Sequence, residues 1–106
     1  MFDLGTIQKC FLENKVFYTT HARKEMRVEA YGLIREEEIE EIITKGEIIE
    51  KYEDDEPYPS VLIYGMTKKG RPLHTVVAYD KKDDLAIIIT VYHPDPKLWV
   101  KCRRRK

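Results

Sequence analysis

Three histidines, His21, His74 and His93, are the residues best suited to proton transfer near neutrality, because an unperturbed imidazole titrates at about 6.5. His21 opens a predicted helix, His74 stands at the entry of a strand, and His93 closes the last strand. A hydrogen-bonded structural imidazole is the alternative at each position. His74 is the odd one: it sits in RPLHTVVAYD (71–80), an otherwise strand-like stretch, three residues after Arg71. No two histidines share the i, i+3 or i, i+4 spacing of a zinc pair, and Cys10 and Cys102 stand far apart. Neither a metal nor another cofactor is therefore expected. GMTKKGR (65–71) follows no strand-to-helix pattern and reads as a hairpin turn, with no phosphate loop. Ser60 and Thr90 lack a nucleophile elbow. Asp54, Asp55 and Glu56 read as a solvated turn.

The elements that must position these groups follow from periodicity. Leu4, Ile7 and Phe11 recur at helical spacing and predict a helix over 2–14. KVFYTT (15–20) predicts a short strand. Ala22, Met26 and Ala30 mark a second helix running to Gly32, and Ile39, Ile42 and Ile43 a third over 35–45, with Gly46 behind it. Four strands follow, at 47–53, 60–67, 72–79 and 85–93, joined by short turns and hence forming an antiparallel meander. LAIIITV (85–91) is apolar on both faces, so its strand should be central or covered on both sides. The fold class is α+β: N-terminal helices packed on a curved, mainly antiparallel sheet of four to five strands. Residues 1–100 should form one domain, with 101–106 a short, frayed basic tail.

Register decides which groups meet. His74 shares a strand face with Val76 and Ala78, and Arg71 alternates away from it. If Asp80 pairs with Leu85, His74 and Tyr92 fall on opposite faces. A one-residue bulge, or a loop of three or five residues, puts them on the same face. Turn chemistry leaves both open.

Composition narrows the setting. No signal peptide or membrane span is evident, so a cytoplasmic protein is expected. The formal net charge is zero, yet residues 35–56 carry 11 acidic against three basic side chains and the remainder 16 basic against eight acidic. The acidic stretch reads as a solvated helix face, and the basic remainder is suited to meeting phosphate. Asn14, Gln8 and Ser60 are each the only residue of their type among many Lys, Glu and Ile, a thermophile-like composition.

Five segments also carry a resemblance: His21-Ala22 with Met26; IEEII (39–43) leading into GEIIE (46–50); Pro59-Ser60; GRPLH (70–74); and TVY (90–92) with Pro94, Pro96 and Trp99. In this order they resemble an uncharacterised prokaryotic family of small domains of unknown function. Its members resemble the RelE-like toxins of toxin–antitoxin systems and are often encoded beside a small zinc-finger antitoxin. The resemblance implies a RelE/barnase-like fold and metal-independent RNA cleavage, in which the ribose 2′-OH is activated and basic side chains stabilise the phosphate. By that likeness His21 or His74 is the general acid or base, Arg71 binds the phosphate, and Tyr92 positions it or stacks on a base. Arg23, Lys24 and Arg27 contact RNA, and RNA and the antitoxin are the implied partners. Where a basic residue is expected before the methionine, this chain has Glu25. The alternatives are a non-catalytic nucleic-acid- or protein-binding module of the same fold, and an interaction domain using the acidic third helix.

Overall fold

Asp3 starts the first helix, α1 (Leu4–Leu12), by accepting the Thr6 N–H at 3.0 Å, in a computed structural model that describes residues 1–106. Thr19 does the same for α2 (Thr20–Val28), accepting the Ala22 N–H at 3.1 Å. In α3 (Glu36–Lys45) the Glu38 carboxylate reaches back to the Arg35 N–H at 3.0 Å, and three glutamates in the first turn oppose the positive end of the helix dipole. The strands are β1 (Val16–Tyr18), β2 (Glu47–Tyr52), β3 (Ser60–Met66), β4 (Pro72–Asp80) and β5 (Leu85–Tyr92). They form one sheet in the order β1-β5-β4-β3-β2, with β2 to β5 an antiparallel meander and β1 parallel to β5 at the edge. The α+β architecture expected from the sequence is the one observed, and β5 lies inside the sheet between β1 and β4.

Alternation along β3 and β4 sorts the two faces. Val61, Ile63, Leu73 and Val77 point to the helices and join Ile7, Ile39, Ile42, Ile43 and Ile88 in the core. Leu62, Tyr64, His74 and Val76 occupy the opposite, outer face. No helix is long and apolar enough to cross a membrane.

The structure departs from the sequence reading in two places. The second helix stops at Val28, four residues before Gly32, because Glu29 turns extended and the Ile34 N–H returns to the Met26 carbonyl at 2.8 Å. The expected frayed tail is ordered: β6 (Trp99–Val100) and β7 (Arg104–Arg105) form a two-stranded hairpin over the outer face. All the backbone–backbone hydrogen bonds of residues 95–106 stay within that segment, so the hairpin is tied to the sheet by bonds that involve a side chain.

Candidate functional site

The question of register is answered by a bulge. Asp80 does pair with Leu85, but the ladder shifts between Val76 and Val77, and His74 pairs directly with Tyr92. The extra β5 residue, Ile89, returns Tyr92 to the outer face. His74 Nδ1 lies 3.2 Å from the Tyr92 hydroxyl and Nε2 lies 2.6 Å from the Cys102 carbonyl. A carbonyl only accepts, so Nε2 carries the proton, and Nδ1 accepts from the phenol. Tyr64, Tyr92 and Trp99 surround the ring edge-on, with Trp99 nearest at 4.5 Å between ring centres. His74 has no exposed surface.

Beside this pair stand residues that sequence reasoning missed. The bulge at Ile49 in β2 puts Glu47 and Glu50 on the outer face, across β3 from His74. Arg105 grips the Glu50 carboxylate with Nε at 2.9 Å and Nη2 at 3.2 Å, and the Tyr52 hydroxyl donates to the same carboxylate. Arg103 pairs with Glu47 at 2.5 Å and lies over the Tyr64 ring, while Arg105 lies over Trp99. Thus β2, β4, β5 and the hairpin converge on one cluster: Glu50, Tyr52, His74, Tyr92 and Arg105.

Electrostatics divides the labour within it. Burial pushes His74 below its ordinary value of 6.5, against the opposing effects of the Cys102 carbonyl and Glu50. Burial also acts to raise Glu50, but hydrogen bonds from Arg105 and Tyr52 overcome it and leave the carboxyl below its ordinary value. Tyr92 is pushed up to about 12, chiefly by burial, with Tyr52 and Glu50 adding to it. At neutral pH the cluster therefore holds a carboxylate, a guanidinium, a neutral imidazole and two phenols.

The low value of His74 sets a pH dependence. Between 6.5 and the lower folded value, the unfolded chain binds a proton that the folded chain does not, so stability is full above 6.5 and declines as pH falls through that window. Glu50 adds its loss only below 4.5. Urea midpoints measured from pH 7.5 to 5 should fall for the wild type and stay nearly level for His74→Gln, whose amide can still donate to Cys102 and accept from Tyr92. A wild-type profile as flat as the variant's would contradict the buried, neutral imidazole.

Of the other residues singled out from sequence, none joins the cluster. Arg71 shares the helix-facing side with Leu73, where its guanidinium donates to the carbonyls of Gly32 (2.6 Å) and Leu33 (2.9 Å) and pairs with Glu38 at 3.3 Å. His21 is 66% exposed on α2 and lies 3.4 Å from Glu25. Glu25 has a positional role of its own: it accepts the Val91 N–H at 3.0 Å and the Thr90 hydroxyl, closing the edge of β5 where β1 has ended. A basic side chain there could not accept either proton. Arg23 is paired with Glu36 at 2.6 Å and lies over the Tyr18 ring, whereas Lys24 and Arg27 are exposed and form no ion pair. His93 stacks on Tyr31 with ring centres 4.1 Å apart. No group of three His, Cys, Asp or Glu is arranged to hold a metal ion.

No curated protein and no solved structure matches the chain. One family model does, over residues 18–93. That span holds α2, α3, the strands β2 to β5 and the last residue of β1, hence Glu50, Tyr52, His74 and Tyr92, and stops before Arg103 and Arg105. The chain belongs to the family described as a domain of unknown function, DUF4258.

Proposed function

We propose that the protein is a metal-independent endoribonuclease whose site is the outer-face cluster, which keeps His74 and Tyr92 of the four residues suggested by sequence and leaves out His21 and Arg71. The observation that carries this reading is the Glu50–Arg105 fork, set beside Tyr52 and the His74–Tyr92 pair on one sheet face. Cleavage by the neighbouring 2′-OH needs a base for that hydroxyl, cations for the non-bridging oxygens and a donor near the leaving 5′-oxygen. Glu50 is the base and Arg105 the phosphate clamp, exchanging its carboxylate partner for the phosphate. Tyr92 stays a phenol at neutral pH; its one proton, held on His74 Nδ1 at rest, turns to the leaving 5′-oxygen, and the 2′-OH proton taken by Glu50 returns through water to the phenolate. His74 is a positioning residue that orients Tyr92 from behind. Purified protein incubated with a labelled single-stranded RNA in excess chelator should yield fragments ending in 2′,3′-cyclic phosphate.

A second reading is favoured by a specific observation. His74 is sealed with both ring nitrogens bonded, and Arg71 is consumed by backbone contacts. A non-catalytic nucleic-acid-binding module of the same fold fits that closure. Salt-sensitive RNA binding with no product at any pH would select it over the nuclease.

A further inference from the structure

The last residue of α2 and the loop after it display three large apolar side chains within six residues: Val28 (67% exposed), Tyr31 (64%) and Leu33 (54%). Such a display is ordinarily disfavoured, yet the backbone beneath it is fixed from both sides. Arg71 holds the Gly32 and Leu33 carbonyls and Glu38 from below. Gly32 takes a left-handed φ of +108°, and the next anchor, Ile34, is buried. Tyr31 rests one ring face on His93, at 4.1 Å and 26° between planes, leaving the other face open.

Two further features give this platform a direction. Lys24 and Arg27 are exposed cations without ion-pair partners, on the helix that ends just before the loop. His93, which backs the Tyr31 ring, directly follows Tyr92 of the cluster, so the platform and the cluster flank the same end of β5. An aromatic ring backed on one face, exposed on the other and preceded by a helix with unpaired cations suits a nucleobase with its phosphates. We infer that Tyr31, backed by His93 and preceded in the chain by the exposed cations Lys24 and Arg27 of α2, is a stacking subsite for single-stranded RNA, where a base beyond the cleaved bond rests. This rests on the RNA reading above but does not require the chain to cut.

Fluorescence anisotropy with a fluorescein-labelled single-stranded RNA, in chelator and with Glu50→Gln as the uncut background, tests it. Tyr31→Ala should weaken binding by about 5- to 150-fold, and Tyr31→Trp should restore it, since any flat ring can stack. Lys24→Gln and Arg27→Gln should each flatten the plot of log affinity against log salt by about 0.7. Equal affinity of Tyr31→Ala and its parent would overturn the subsite. So would Tyr31-dependent binding of polyglutamate without RNA binding, which would assign the patch to an acidic protein. Tyr31-dependent binding with no cleavage by the wild type sinks the nuclease reading alone. Cleavage with Tyr31-independent binding sinks the subsite alone.

Discussion

Glu50→Gln is expected to lower the rate of RNA cleavage by roughly 10²–10⁴-fold while leaving the fold intact. The amide keeps the size of the carboxylate and still offers an oxygen to Tyr52 and Arg105, but it cannot take the 2′-OH proton. Arg105 is 61% exposed, so the cost of leaving it with a neutral partner is small in stability and falls on chemistry. Because Arg105 and Tyr52 hold the Glu50 pKa below its ordinary value, the wild-type rate should be flat through neutrality and fall only in acid. Glu50→Gln should lose that acid limb along with the rate. Arg105→Ala should cost about 10²–10³-fold, the usual effect of removing one donor to a developing negative charge. Wild-type rates in both variants, with unchanged melting, would reduce the fork to a structural ion pair.

How much of this was legible in the sequence depended on which physical signal each residue carried. Helical spacing located α1 and α3, because Leu4, Ile7 and Phe11 and then Ile39, Ile42 and Ile43 line one stripe each, and β-branched and aromatic runs between turn residues located the four meander strands. The His74–Tyr92 pairing was legible only as two alternatives. Ile87-Ile88-Ile89 is apolar on both faces, so nothing in its pattern marks the extra residue. The separation of Arg71 from His74 was written in the two-residue alternation. Where the guanidinium goes was not, because its acceptors are backbone carbonyls 38 and 39 residues away.

The hairpin is the larger omission, and it concealed half of the cluster. KCRRRK reads as solvated charge, yet Arg103 and Arg105 find Glu47 and Glu50 on a strand more than 50 residues earlier. The signal that could have found it is Trp99: a lone tryptophan beyond two prolines needs somewhere to bury its ring, and it does so on His74. Glu25 shows the converse. Sequence marked it as a departure from an expected basic residue, and the structure gives it the unpaired edge of β5 to satisfy.

Gly65→Ala should be one of the two most damaging methyl additions at a glycine, alongside Gly46→Ala. Gly65 sits on the helix-facing side of β3, opposite Leu73, where α3 lies directly on the strand. A Cβ there would stand 2.6 Å from Ile42 Cβ and 2.8 Å from both Ile42 Cα and its carbonyl oxygen. Two of those three atoms are helix backbone, so no rotamer change relieves the clash and α3 must lift from the sheet. Overpacking of this kind costs about 1–3 kcal/mol or more. Lifting the helix also loosens Ile39, Ile42 and Ile43, so the upper end of that range applies. At about 4–8 °C per kcal/mol for a domain near this size, the midpoint should drop by roughly 10–20 °C in calorimetry. Gly5→Ala is the matched control. It adds the same methyl to α1, where the nearest atom is a flexible Asp3 oxygen at 3.3 Å, and it should stay within about 1 kcal/mol of the parent. The cluster lies on the other face of the sheet, so Gly65→Ala assayed well below its midpoint should still cleave. Should it melt with the wild type, α3 does not rest on β3 at this glycine, and the packing that places Tyr64 and His74 on the opposite face must be redrawn.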